Sequence, residues 1–98
     1  YNALGRKLIQ AGSYQKAIDA LTEALKMDPK HVLALNARGF AYMLANQLPN
    51  ALSDLNFAIE LRPNYANAYL TRSGLKTRMG DKKGAEEDRA KHVSLSGK

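Results

Sequence analysis

Residues 35–63, LNARGFAYMLANQLPNALSDLNFAIELRP, decide the fold, because their landmark residues recur one period away in the chain. A step of 34 residues separates three sets of identical residues: Gly5 and Gly39, Pro29 and Pro63, and Ala17, Ala51 and Ala85. A period of this length is typical of stacked helical hairpins, none of which can bury its apolar face alone.

The apolar residues within one period follow helical spacing. Ile18, Leu21 and Leu25 fall at i, i+3 and i+7, so they share one helix face. The pair Asp28-Pro29 ends this segment, because proline cannot continue the helix and disfavours helical geometry in the residue before it. The same signals predict six helices, at about 1–11, 14–27, 31–45, 48–61, 65–79 and 82–95.

The domain organisation follows from this punctuation. With no linker or low-complexity stretch, residues 1–98 are predicted to form a single all-α domain. Its repeats cover about 1–31, 32–65 and 66–98, and three is about the minimum for a stable stack. The short connections predict that consecutive helices are antiparallel.

Charge and composition limit the functional classes. The net charge is +6, and residues 66–98 hold eight basic and four acidic groups, against two of each in residues 32–65. A basic end favours acidic partners at low salt. Because Glu86, Glu87 and Asp88 interrupt these cations, nucleic acid is an unfavoured partner. The chain has no cysteine and no apolar run of about 20 residues, so no membrane span is predicted and the compartment stays open.

No catalytic, metal or cofactor motif is present in the sequence. His31 and His92 lie in different repeats without metal-ligand spacing, and Ser96-Gly97-Lys98 lacks the glycine spacing of a phosphate loop. The consecutive acids at 86–88 fan around a helix and are expected to pair with Lys82, Lys83 and Lys91. The sequence therefore predicts no catalytic residue, no metal and no cofactor.

The repeated residues resemble the tetratricopeptide repeat (TPR) family, whose signature runs W-x2-L-G-x2-Y, then A-x3-F, then P. The matching residues are Tyr1, Leu4, Gly5, Leu8, Ala17, Leu21 and Pro29 in the first repeat, and Leu35, Arg38, Gly39, Tyr42, Ala51, Leu55 and Pro63 in the second. The resemblance implies a right-handed superhelical array of three antiparallel hairpins, with small residues where two helices cross. It also implies a non-catalytic scaffold or adaptor that binds other proteins.

The third repeat departs from that signature. Lys76, Arg89 and His92 stand where the earlier repeats have apolar or small residues, and the closing proline of the third repeat is absent. Because terminal repeats need a polar outer face, the third repeat is predicted to be cap-like. Tyr1 falls inside the first helix, which predicts that further protein precedes it.

The resemblance implies a binding groove on the concave side, lined by the first helix of each hairpin. Phe40 lies off the packing stripe of its helix and is predicted to face the groove, whereas Met43 fits groove or core equally well. An apolar centre with Arg6 and Arg78 at its ends is predicted. The predicted lining residues are Asn2, Arg6, Ile9, Gln10, Leu33, Asn36, Ala37, Phe40, Met43, Asn67, Leu70, Thr71, Gly74, Thr77 and Arg78.

The groove is expected to hold an extended segment or an amphipathic helix of a partner protein. Some TPR domains clamp the C-terminal carboxylates of Hsp70 and Hsp90 with lysine, arginine and asparagine. The matching positions here are Asn2, Arg6, Ala37, Asn67 and Thr71, of which Arg6 alone is a cation. The sequence therefore predicts that the chain does not bind that tail.

Two alternative functions stay open. An apolar groove, together with a first helix that is expected to continue before Tyr1, favours assembly of the chain into homo-oligomers. A basic helical array that binds RNA is ranked lower, because few of the cations fall on the concave face.

Overall fold

In the computed structural model the described residues run from 2 to 97, without the side chain of Asn2. The predictions that concern Tyr1, and the placement of Asn2 in the groove, lie outside them. The described residues form six helices: α1 (Asn2–Gln10), α2 (Tyr14–Met27), α3 (Val32–Leu44), α4 (Leu48–Leu61), α5 (Ala66–Arg78) and α6 (Lys82–Ser96). The predicted all-α class is confirmed, and each predicted helix boundary lies within one residue of the observed one.

Each hairpin turns at a residue with positive φ. Gly12, Asn46 and Gly80 share one position of the 34-residue period, with φ of 81°, 63° and 86°. Glycine and asparagine adopt this left-handed conformation at the lowest cost. After this turn the following backbone N–H points back toward the end of the preceding helix. The N–H of Gln47 thus donates to the carbonyl of Tyr42 at 2.8 Å.

The two helices of a hairpin cross at a small residue, as the sequence predicts. A Cβ built on Gly39 would lie 2.9 Å from Cγ of Leu55, and one built on Gly5 would collide with Leu21. Ser73 takes this position in the third hairpin, where its buried hydroxyl donates to the carbonyl of Ala85 at 2.8 Å. Close crossing thus buries Leu21 and Leu55 completely.

The hairpins stack so that α1, α3 and α5 form an inner layer. The α1 helix contacts α3 and α3 contacts α5, while α2 packs against α3 and α4 against α5. The core lies between successive hairpins and includes the fully buried Leu21, Leu55 and Leu75. Among the described helices, none combines the length and apolar character that a bilayer crossing requires.

Paired arginine and aspartate side chains connect the two helices of a hairpin. Arg38 donates to Asp54 from Nε and Nη2, both at 2.7 Å, and from Nη1 to Thr22 at 3.2 Å. We call each such pair of one arginine and one aspartate a repeat clamp. The hydrogen bond to Asp54 raises the pKa of Arg38 above its usual value, outweighing the effect of burial.

The second repeat clamp joins Arg72 to Asp88, at 2.7 and 2.8 Å. Lys76 adds a contact of 3.2 Å to the same carboxylate. Burial acts to raise the pKa of Asp88, but hydrogen bonds from Arg72 and Lys76 outweigh it, so this pKa lies below its usual value. The expected pairing of Asp88 with lysines of its own helix is wrong, because the carboxylate points inward toward α5, where both cations lie.

The third hairpin ends on a polar surface. Arg89 is exposed, whereas Leu21 and Leu55 at the same position of the earlier repeats are buried. Lys76 covers Asp88 rather than standing free. The cap-like role of this hairpin stays a prediction.

Candidate functional site

A groove of about 510 Å³ runs across the inner helices α1, α3 and α5. Its volume falls within the roughly 300–1,000 Å³ of common ligand pockets. Its lining residues are Arg6, Ile9, Gln10, Leu33, Asn36, Ala37, Phe40, Met43, Tyr65, Asn67, Leu70, Thr71 and Gly74. The structure thus brings together all the predicted groove residues except Thr77 and Arg78 and the undescribed side chain of Asn2.

The centre of the groove is apolar. Leu33, Phe40 and Leu70 are 45, 37 and 48% exposed, so each presents a large part of its side chain to the opening. Met43 is 5% exposed and belongs to a core cluster with Leu55 and Leu75, so it forms the floor of the groove. Phe40 therefore lies on the groove side, and Met43 serves groove and core at once.

Two predicted lining residues lie outside the groove. Thr77 Oγ1 donates to the carbonyl of Ser73 at 3.0 Å, and Arg78 is exposed in the last turn of α5. Since α5 is the last inner helix of the described chain, no further described helix encloses these side chains. The prediction of a cation at this end of the groove therefore needs correction, because Arg78 does not line the groove.

Tyr65 lines the groove although the sequence did not predict it. It lies just before α5, at the same position of the period as His31 before α3. A large aromatic residue at this helix start was the available signal, but the prediction assigned the groove to residues inside the helices. Tyr65 adds an aromatic ring at the end of the groove where α5 begins.

The described lining of the groove carries positive charge and no negative charge. Arg6 is the one cation among the described lining residues, and no carboxylate lies among them. The remaining polar lining consists of side-chain amides, one hydroxyl and one phenol, which donate and accept hydrogen bonds. Oδ1 of Asn36 is buried and receives no hydrogen bond from the described residues. The groove therefore offers positive potential.

One position of the repeat lines the groove in all three hairpins. Arg6, Phe40 and Gly74 are separated by 34 residues each, and all three line the groove. The lining at this position thus changes from a cation on α1, to an aromatic ring on α3, to a residue without a side chain on α5. The groove is consequently polarised along the direction in which the hairpins stack.

Comparisons with known proteins agree with this architecture. A family model described as TPR repeat matches residues 5–45. RNA polymerase II-associated protein 3 of Xenopus tropicalis is 33% identical over 91 residues, which cover 93% of this chain and 14% of that protein. This chain thus spans about one seventh of that relative.

Solved structures give the same result. The first TPR domain of Spaghetti (RPAP3), solved bound to the HSP90 peptide SRMEEVD, is 27% identical with a TM-score of 0.91, over 98% of this chain and 76% of that one. The Sgt2 TPR domain of Aspergillus fumigatus is 30% identical with a TM-score of 0.92, over 98% and 64%. These comparisons confirm the predicted three helix-turn-helix units and the predicted non-catalytic class.

The prediction that the chain does not bind the Hsp70 or Hsp90 tail is wrong. It rested on missing cations at the five clamp positions, of which Arg6, Ala37, Asn67 and Thr71 line the groove. The first Spaghetti domain, which shares this architecture, is solved with such a tail bound. Counting cations does not account for the apolar and amide contacts that the rest of the groove offers.

Proposed function

The chain belongs to the tetratricopeptide repeat (TPR) family, and from this premise we propose that its groove binds the acidic C-terminal tail of a chaperone of the Hsp90 or Hsp70 type. The chain is a protein-binding module, and the proposal names its ligand. The observation that carries the proposal is the one-sided charge of the groove, in which Arg6 meets no carboxylate among the described lining residues. An acidic peptide is the complementary ligand.

The polar lining supports an extended peptide as ligand. Asn67 can donate to a peptide carbonyl and accept from a peptide N–H.

The apolar centre supplies a second part of the binding free energy. Complete burial of a leucine or phenylalanine side chain contributes about 1.5–3 kcal/mol. Since Phe40 and Leu70 are 37 and 48% exposed, covering their exposed surface contributes about 1 kcal/mol each. A tail with an apolar residue near its acidic end therefore fits this groove better than a purely acidic one.

A single cation implies modest affinity with a strong requirement for the free carboxylate. We expect a dissociation constant on the order of 10 μM for the peptide SRMEEVD, or about −7 kcal/mol. Arg6 favours the terminal carboxylate because charge-assisted hydrogen bonds are about twice as strong as neutral ones.

The test is a calorimetric titration of the chain with SRMEEVD and with the same peptide amidated at its C-terminus. The proposal predicts saturable one-to-one binding of the free acid and at least fivefold weaker binding of the amide. A peptide of the same composition in scrambled order controls for net charge. Equal binding of all three peptides, or no binding of the free acid at 1 mM, would contradict the proposal.

A further inference from the structure

Gly74 lies in the interior of α5, where glycine is an unfavourable residue. Glycine disfavours a helix interior relative to alanine, because its backbone loses more conformational freedom on folding. A glycine at such a position calls for a reason in packing, in backbone geometry or in ligand contact.

Packing does not supply the reason. A Cβ built on Gly74 would lie 3.8 Å from Sδ and 3.9 Å from Cε of Met43, which is ordinary van der Waals contact. Gly39 is the contrasting case, because its Cβ would lie 2.9 Å from Cγ of Leu55. Backbone geometry gives no reason either, because Gly74 is helical and positive φ is confined, among the described glycines, to Gly12 and Gly80.

The missing side chain leaves space in the groove. In the two preceding hairpins the same position carries Arg6 and Phe40, and both side chains line the groove. At Gly74 the groove reaches Met43 on its floor, with Phe40 on α3 and Leu70 on α5 also in its lining. We call the space among these four residues the anchor notch: Gly74, Met43, Phe40 and Leu70.

We propose that Gly74 determines specificity by keeping the anchor notch open for one bulky apolar side chain of an extended peptide whose C-terminal carboxylate lies at Arg6. This inference rests on the proposed function and adds to it an anchor site and a direction for the bound tail. Charge complementarity fixes the direction, because Arg6 on α1 is the cation of the described lining and the notch is apolar.

The dimensions of the array limit where the anchor lies in the peptide. Neighbouring packed helices are about 8–10 Å apart, so α1 and α5, on either side of α3, are separated by at most about 20 Å. An extended chain advances about 3.3 Å per residue. The anchor is therefore no more than about six residues before the terminal carboxylate. In SRMEEVD the methionine, four residues before the last, meets this limit.

The test combines Gly74→Ala with replacement of the peptide methionine by alanine. With the wild-type chain, we expect the alanine peptide to bind about tenfold more weakly than SRMEEVD. With Gly74→Ala, we expect SRMEEVD to lose about tenfold in affinity, and the two peptides to bind alike. The variant should also melt about 4–8 °C higher than the wild type, because alanine favours the helix.

Each outcome of this experiment decides the proposal. If Gly74→Ala binds SRMEEVD as tightly as the wild type, the anchor notch is contradicted while the proposed function stands. If Gly74→Ala melts below the wild type, glycine is required by packing and the inference is overturned. If neither peptide binds the wild-type chain, the proposed function fails together with the inference that rests on it.

Discussion

Arg38 and Asp54 form a two-pronged ion pair, with two N–O distances of 2.7 Å, and the same pair recurs 34 residues later. Each arginine lies on an inner helix, and its aspartate lies on the second helix of the same hairpin. Arg38 also donates to Thr22 of the preceding hairpin. The repeat clamps therefore hold α3 and α5, which carry most of the groove, in register with the helices behind them.

The second repeat clamp predicts a pH-dependent contribution to stability. The pKa of Asp88 is lowered in the folded chain, so its contribution is complete above the unfolded value of about 4 and is lost as the pH falls through the folded value. Asp88→Asn should lower the free energy of unfolding by about 1–3 kcal/mol at pH 7, and by much less at pH 2.5. Urea unfolding at both pH values measures this.

The matched control for that prediction is Glu87→Gln, because Glu87 is the exposed neighbour of Asp88 on α6. It should change the free energy of unfolding by less than about 0.5 kcal/mol. A loss caused by Asp88→Asn that is the same at both pH values would show that the carboxylate charge is not what stabilises the hairpin.

Gly39→Ala should destabilise the chain, in contrast to Gly74→Ala. The added methyl would lie 2.9 Å from Cγ of Leu55, which is buried and cannot move freely. We expect a loss of about 1–3 kcal/mol in the free energy of unfolding, larger than the gain in helix propensity. Thermal unfolding of the two alanine variants side by side checks this, and shifts of the same sign would refute the contrast.

Arg6→Gln should weaken binding of SRMEEVD by about tenfold, or about 1.4 kcal/mol, because it removes the cation of the described lining. The dependence of affinity on salt should decrease at the same time. Arg78→Gln is the control, since Arg78 is exposed outside the groove. Fluorescence anisotropy at 50 and 300 mM NaCl measures both effects, and equal losses from both variants would contradict a local role for Arg6.

Phe40→Ser should weaken peptide binding by about five- to tenfold while leaving helicity unchanged. Phe40 presents apolar surface in the centre of the groove, and a bound peptide would bury that surface. Phe57→Ser is a closely matched control, because Phe57 is 38% exposed on α4 and does not line the groove. Circular dichroism and calorimetry measure helicity and affinity.

Light scattering on the same two variants separates peptide binding from self-assembly. The proposed function predicts that the wild type and both variants have the mass of a monomer. A wild-type oligomer that Phe40→Ser dissociates and Phe57→Ser does not would show that the groove contacts a second copy of the chain.

Much of the fold could be predicted from the sequence because it depends on local signals that recur. The period of 34, the prolines after α2 and α4 and the left-handed turns at Gly12, Asn46 and Gly80 locate the helices within one residue. The small residues at Gly5 and Gly39 likewise predict the close crossing within each hairpin.

The repeat clamps were not predicted, because they join side chains 16 residues apart on different helices. The signal for them was present, since Arg38 and Asp54 recur one period later as Arg72 and Asp88. Spacing within a single helix instead predicts that Asp88 pairs with the lysines of its own helix.

The groove could be predicted only in part. Helix periodicity and the resemblance to TPR domains place the residues of α1, α3 and α5 on one side, but they do not show where the groove ends. Arg78 and Thr77 share the helix of Gly74, yet they do not line the groove. Tyr65 enters it from the residue before α5. These differences depend on how the hairpins stack, which one repeat does not encode.

An NMR titration of the ¹⁵N-labelled chain with unlabelled SRMEEVD tests directly whether the groove is the peptide-binding site. We expect the largest amide shift changes along the inner helices, at Arg6, Asn36, Phe40 and Gly74, with the side-chain amide of Asn36 among them. We expect small changes at Phe57 and along α6. Shift changes concentrated on α4 and α6 instead, or spread evenly over the chain, would contradict the assignment of the groove as the binding site.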